Sequence, residues 1–205
     1  MNLAHRWLCT SRMWERAVQT HIVPWALEGV QLGSTILELG PGPGVTTACL
    51  RAIALDLTCI EIDGSYASSL AHRMTGLGIR VVAGDGAAMP LADASFDTVV
   101  CFTMLHHVPS TVLQDQLIRE AMRVLRPGGV FLGTDSVNSR LFRLFHVFDT
   151  ITPVNPEAFS GRLRAAGFRD VQVNVRRHDF RFRAQRPASD TDETAPNQAP
   201  LSSGH

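Results

Sequence analysis

An apolar run from Ile36 closes in Glu38-Leu39-Gly40-Pro41-Gly42-Pro43-Gly44, and this stretch constrains the fold more than any other in the chain. Apolar residues that stop at glycines read as a buried strand whose carboxyl end presents bare backbone, because Gly40, Gly42 and Gly44 carry no Cβ and tolerate positive φ. The helical pattern Val45 to Leu55 follows, so the turn is a cradle for a nucleotide-like group at the passage from strand to helix. Spacing narrows the choice of group. The dinucleotide fingerprint G-x-G-x-x-G would place its third glycine where Val45 stands, which argues against a nicotinamide cofactor.

Four more apolar runs, Leu57 to Glu61, Ile79 to Ala83, Thr98 to Phe102 and Val130 to Thr134, are short and bounded by Gly, Pro or Asp. Strands buried on both faces have this composition. Helical patterns at Ser65 to Gly76 and Thr111 to Leu125 alternate with them, which implies a parallel sheet with right-handed crossovers and helices on both faces. Pro156 to Ala166 then reads as a helix stopped at Gly167. Val171 to Val175 and Asp179 to Ala184 read as strands joined so tightly that they must be antiparallel. The fold class is α/β, a doubly wound, Rossmann-like sheet of seven strands, mostly parallel with an antiparallel last strand.

The ends differ in kind. Over residues 1–33, Leu3, Trp7, Met13, Trp14, Val18, Ile22 and Trp25 recur at roughly helical spacing, broken at Thr10-Ser11 and Pro24. One or two amphipathic helices are expected there, packing on the sheet or forming a lid. Residues 187–205 are rich in Pro, Ser, Thr, Asp and Asn, which predicts a disordered tail because little apolar area offsets its ordering entropy. At 205 residues and 45% hydrophobic composition, the chain suffices for one core, here residues 34–186. No apolar run approaches the roughly 18 residues of a membrane span, and the start lacks a leader pattern, so a cytoplasmic protein without stable membrane insertion is expected. Cys9, Cys49, Cys59 and Cys101 show no C-x-x-C spacing and read as reduced packing residues, with no metal site.

The glycine stretch, written E-x-G-x-G-x-G, resembles the first motif of the class I S-adenosylmethionine-dependent methyltransferases. The resemblance continues through Cys59-Ile60-Glu61-Ile62-Asp63, Val81-Val82-Ala83-Gly84-Asp85-Gly86, Ser95 to Phe102 with Leu105-His106-His107-Val108, and Leu125-Arg126-Pro127-Gly128-Gly129. It covers roughly residues 35–135 and implies the strand order 3-2-1-4-5-7-6. The implied cofactor is S-adenosyl-L-methionine, with S-adenosyl-L-homocysteine as product. Its implied contacts are Glu38 to the ammonium, Gly40, Gly42 and Gly44 at the methionine portion, and Glu61 with Ile62 at the ribose. Asp85, Gly86 and Ala87 would meet the adenine, and Phe102 completes the set. Asp63 is expected to cap the following helix instead.

The resemblance places the methyl acceptor beyond the fourth strand, beside His106 and His107. Imidazole titrates near neutrality and can take a proton from an attacking hydroxyl or amine. Asp135 ends the neighbouring fifth strand and would orient it, so His106 and Asp135 are the candidate catalytic pair. Two roles fit His106, the base and a structural residue at a strand end.

Phe102-Thr103-Met104-Leu105 stands where many amide and base N-methyltransferases carry Asn- or Asp-Pro-Pro-aromatic, so nucleic acid is not the expected substrate. Residues 136–156, with Leu141, Phe142, Leu144, Phe145, Val147 and Phe148 among Arg140, Arg143 and His146, are expected to cover a partly apolar acceptor or simply the sheet. The expected reaction is O- or N-methylation of a lipid-like or secondary-metabolite molecule, by a monomer or homodimer. An RNA methyltransferase is the alternative, because residues 140–186 hold 10 Arg against 4 Asp plus Glu. Alternation at Arg181 and Arg183 is also expected of a protected edge strand. A non-catalytic domain that binds the same cofactor is a further alternative.

Overall fold

The structure is a computed structural model and describes residues 11–139, 142–143 and 150–188. Seven strands form one sheet: β1 Thr35–Leu39, β2 Asp56–Glu61, β3 Ile79–Ala83, β4 Phe96–Phe102, β5 Leu125–Ser136, β6 Arg169–Val175 and β7 Asp179–Gln185. Their order is β3-β2-β1-β4-β5-β7-β6. The first five run parallel, while β7 pairs antiparallel with both β5 and β6. The helices are α1 Arg12–Ala17, α2 Val23–Leu27, α3 Val45–Arg51, α4 Gly64–Arg73, α5 Thr111–Val124 and α6 Pro156–Ala165. Side-chain caps start four of them: Ser11, Asp63, Ser110 and Asn155 each accept from a backbone N–H of the first turn. β5 is longer than its apolar run because Leu125 still pairs with Phe96, before a shift in register to Thr98–Val130.

Alternation along the strands builds two cores. Leu37, Leu39, Val99, Cys101, Phe131, Phe180 and Phe182 face Leu117, Ile118 and Ala121 of α5 and Phe159 and Leu163 of α6. Phe182 meets Phe131 and Phe159 edge-on, at centroid distances of 4.9 and 5.0 Å. The opposite face carries Ile36, Cys59, Val100 and Leu132 against Leu50 of α3, Leu70 of α4 and Val18, Val23 and Ala26 near the amino end. Burial raises the thiol pKa of Cys59 and Cys101, which keeps both unreactive.

Pro24 does not end the amino-terminal helix. Residues Val18–Ile22 form a π-helical turn, in which Val23 N–H bonds the Val18 carbonyl, and this wider turn carries the proline ring into α2. Trp25 fixes α2 to the hairpin: the Arg176 guanidinium lies 3.6 Å from its ring centroid, and Arg181 Nη1 donates to its carbonyl at 2.6 Å and to Glu28 at 2.8 Å. Arg183 donates to the Gly29 carbonyl. The edge-protection expectation for Arg181 and Arg183 is therefore corrected, since β7 lies inside the sheet and both arginines bind the amino-terminal segment.

At the amino ends of the strands, Asp97 accepts from Arg126 Nη1 at 2.5 Å and from the Thr35 N–H and hydroxyl at 3.0 Å. Burial opposes ionisation of Asp97, but the bonds from Arg126 and Thr35 outweigh it and hold the carboxyl below its usual range. The expected tail beyond Ala188, Cys9, Leu3, Trp7, and residues 140–141 and 144–149 of the expected acceptor cover lie outside the described residues.

Candidate functional site

A cavity of about 800 Å³ opens along the carboxyl ends of the strands, from Asp85 after β3 to His178 in the β6–β7 turn. It straddles the β1–β4 boundary, where chain connections depart in opposite directions and leave a crevice. The three loop glycines serve different ends. Gly40 has φ +61° and donates to the Ile60 carbonyl at 2.9 Å, and a Cβ there would strike Met104. Gly42 has φ +51° with no heavy atom within 4 Å of a built Cβ, so a side chain there would have open space before it. Gly44 caps α3 with φ +82° and does not line the cavity; its constraint is Leu70, 2.5 Å from a built Cβ.

Glu61 ends β2 against the loop, 6% exposed, and accepts from the Gly42 N–H at 2.8 Å and the Asp63 N–H at 2.9 Å. Each carboxylate oxygen keeps a second lone pair for a ligand hydroxyl. Ile62 lines the cavity and is 72% exposed. Asp63 lines it too while capping α4 through the Ser65 and Tyr66 N–H groups. Asp85 accepts from the Ala87 N–H at 2.8 Å, and Asp85, Gly86 and Ala87 all line the wall below β3. Phe102 lines the floor.

Glu38 is placed differently from the expectation of a ligand contact. It lies beneath the loop, 1% exposed, outside the cavity lining, accepting from the Thr46 hydroxyl, the Thr47 hydroxyl at 2.6 Å and the Cys59 thiol. Burial raises its pKa, and the hydrogen bonds only partly offset that effect. Glu38 thus ties β1 to the first turn of α3 and holds the glycine loop between them.

Across the boundary, Thr103 turns the chain after β4 with φ +48°, a left-handed conformation that costs a non-glycine residue on the order of 1 kcal/mol or more. His106 follows in the 3₁₀ turn Leu105–His107, 2% exposed, on the cavity wall. Its Nδ1 lies 2.5 Å from Asp135 Oδ1, and its backbone N–H donates to Asp135 Oδ2 at 3.1 Å. Asp135 is fully buried and also accepts from the Ser136 N–H. The structure therefore brings His106 and Asp135 together. The His107 ring lies tilted beside that of His106, with centroids 4.2 Å apart, and Phe142 meets the His106 ring edge-on at 5.1 Å.

Gln114 of α5 braces this wall. Its amide donates to the Leu105 carbonyl at 3.0 Å and the Thr152 carbonyl at 2.8 Å, and it accepts from Arg162 at 2.9 Å. Thr152 N–H donates to the His106 carbonyl at 2.8 Å. Trp14, Tyr66, Met104 and His178 also line the cavity and were not singled out as site residues from sequence. Trp14 alone carried a signal, through the apolar periodicity that suggested a lid.

The cavity suits a cationic, hydroxylated, partly apolar group. Glu61, Asp63 and Asp85 supply acceptors, Gly42 leaves room against backbone, and Phe102 and Met104 add apolar surface. S-adenosylmethionine, with its sulfonium, ammonium and ribose, fits this donor set. Among the described residues no cluster of His, Cys, Asp and Glu could hold a metal, and no helix is long and apolar enough to cross a membrane.

Residues 37–133 match the family described as a methyltransferase domain. The chain is 31% identical over 179 residues to a malonyl-[acyl-carrier protein] O-methyltransferase of Methylococcus capsulatus, covering 78% of this chain and 62% of that protein. It is 30% identical over 156 residues to a ubiquinone biosynthesis O-methyltransferase of Pseudomonas putida, covering 69% and 63%. It thus spans less than two thirds of the length of either relative. In fold it is similar to phosphoethanolamine N-methyltransferase 2 of Haemonchus contortus, solved with S-adenosylhomocysteine, at a TM-score of 0.68 and 15% identity, covering 91% of this chain and 56% of that one. The glycine loop, the acidic strand ends, the 3-2-1-4-5-7-6 sheet and these matches agree: the chain belongs to the class I S-adenosylmethionine-dependent methyltransferases.

Proposed function

We propose that this chain moves a methyl group from S-adenosylmethionine to a hydroxyl or amine of a small, partly apolar molecule. The observation that carries the reading is His106 on the cavity wall with buried Asp135 paired behind it, across the β1–β4 boundary from the glycine loop. When bound, the cofactor supplies an electrophilic methyl on a positively charged sulfur. Glu61 receives the ribose hydroxyls, Asp85 with Gly86 and Ala87 the adenine, and Gly40 and Gly42 the methionine backbone. Glu38 acts from beneath, by fixing the loop.

On the acceptor side, a carboxylate can only accept, so Asp135 keeps the proton on His106 Nδ1 and leaves Nε2 as the basic nitrogen. Nε2 takes the acceptor proton as the nucleophile attacks, and Asp135 stabilises the resulting imidazolium. Met104, Phe142 and Trp14 restrict water and hold the acceptor in line, which supplies the larger share of the rate. A relative named for O-methyl transfer in ubiquinone biosynthesis supports oxygen as the accepting atom. Nucleic acid suits the chain less, because Arg176, Arg181 and Arg183 bind the amino-terminal segment. We place the reaction in the cytoplasm, where buried Cys59 and Cys101 stay reduced.

The test is calorimetric titration with S-adenosylhomocysteine and NAD, followed by a labelled-methyl screen of hydroxylated and amino apolar compounds. Heat with S-adenosylhomocysteine alone and label in a hydroxylated compound are expected. Preferential NAD binding, or no label in any compound from a chain that binds the cofactor, would overturn the reading.

A further inference from the structure

Charge is segregated within the cavity. All three acidic side chains that line it, Glu61, Asp63 and Asp85, stand at the ends of β2 and β3, whereas the imidazoles of His106, His107 and His178 stand on the β4 and β7 side. Among the described residues no carboxylate lines that second half, because Asp135 is fully buried behind His106.

His178 extends this pattern to the far end. The β6–β7 turn is pinned in place: the Val137 N–H donates to the His178 carbonyl at 2.9 Å, and the Arg176 N–H to the Asp179 carbonyl at 2.8 Å. The Arg176 guanidinium is held over Trp25, but Arg177 beside it is exposed and makes no hydrogen bond or ion pair among the described residues. Hence a cavity-lining imidazole and an exposed arginine adjacent to it in sequence share one fixed turn, and apolar Phe142 lines the same cavity in edge contact with the His106 ring. Such a pair is built to take an anion, since both groups donate charge-assisted hydrogen bonds to carboxylate or phosphate.

We propose that the methyl acceptor is an anion, an apolar body whose acidic group rests against His178 and Arg177 while its hydroxyl meets His106. This rests on the methyltransferase reading and deepens it. A cationic amine is disfavoured in that half, where among the described residues it would meet imidazoles and no carboxylate.

The experiment uses the full chain saturated with S-adenosylhomocysteine and two fluorescent reporters of similar shape, anionic anilinonaphthalene sulfonate and neutral N-phenylnaphthylamine. The anion is expected to bind about tenfold more tightly, the effect of one charge-assisted contact. His178→Gln with Arg177→Gln should erase most of that preference and leave melting temperature and S-adenosylhomocysteine affinity unchanged. Equal or tighter binding of the neutral reporter to wild type, or a preference that survives in the double variant, overturns the assignment. The calorimetric titration with S-adenosylhomocysteine reads the donor half independently. A chain that gives no heat there overturns the cofactor reading and the anion assignment with it, whereas normal heat with no reporter preference overturns the anion assignment alone.

Discussion

At the amino ends of β1 and β4, Asp97 accepts from an arginine, and Glu120 likewise pairs with Arg123 at 2.7 Å. At the carboxyl ends, Glu38, Glu61 and Asp135 have no arginine beside them among the described residues and accept from hydroxyls, backbone N–H groups and an imidazole. An arginine satisfies a carboxylate and cancels its charge, which suits a joint between strands. Neutral donors satisfy its hydrogen-bonding needs without cancelling a charge, which leaves Glu61 available to a cationic ligand and Asp135 to an imidazolium, while burial pushes Glu38, outside the cavity, toward its protonated form. The difference separates the end that holds the sheet together from the end that meets ligands.

The strongest way to break this comparison is at His106. His106→Ala should lower turnover by about two to four decades, with S-adenosylhomocysteine affinity nearly constant. A folded variant with full turnover removes the base from the mechanism and leaves Asp135 a structural group. Glu61→Ala should weaken S-adenosylhomocysteine binding by about one to two decades in calorimetry, because a charged acceptor for the ribose is lost. Unchanged affinity there would sink the cofactor assignment.

At the other end the expected effect is on stability alone. Asp97→Ala should lower the melting temperature by about 2–8 °C, from a loss of about 1–2 kcal/mol, with cofactor affinity unaltered. Because the folded pKa of Asp97 is depressed, its contribution is present above the ordinary aspartate value of 3.8 and fades as pH falls through the folded value. The gap between wild type and variant should therefore close in acid.

Glu38 sharpens the contrast with the smallest effect. Its folded pKa is raised, so its ionisation works against folding as pH climbs above the ordinary glutamate value of 4.5. As pH climbs above that value, wild type should lose melting temperature relative to Glu38→Gln. A wild-type chain that instead gains on the variant over that range would make Glu38 equivalent to Asp97.

The strand ends were legible because they combine an apolar run with Gly, Pro or Asp, and β3 falls at the expected Ile79–Ala83. α3 stops at Arg51 because Ala52 to Ala54 turn back by backbone bonds to Cys49 and Leu50 before β2, a turn with no Gly or Pro to mark it. His106 and Asp135 could be paired from sequence since each follows a strand whose neighbour the order fixes. The position of Glu38 beneath the loop was not legible because its partners, Thr46 and Thr47, lie beyond the glycine loop in the first turn of α3 and carry no motif. Trp14, Met104 and His178 reach the cavity from a helix and two loops, where side-chain direction depends on packing that no local pattern encodes.

Gln114 gives the acceptor wall a mechanical property. One amide grips the Leu105 and Thr152 carbonyls, and Thr152 is bonded to the His106 backbone, so the stretch around Thr152 and the turn that carries His106 are tied to one another and to α5. A ligand that pushed the Thr152 stretch outward would carry the His106 turn with it.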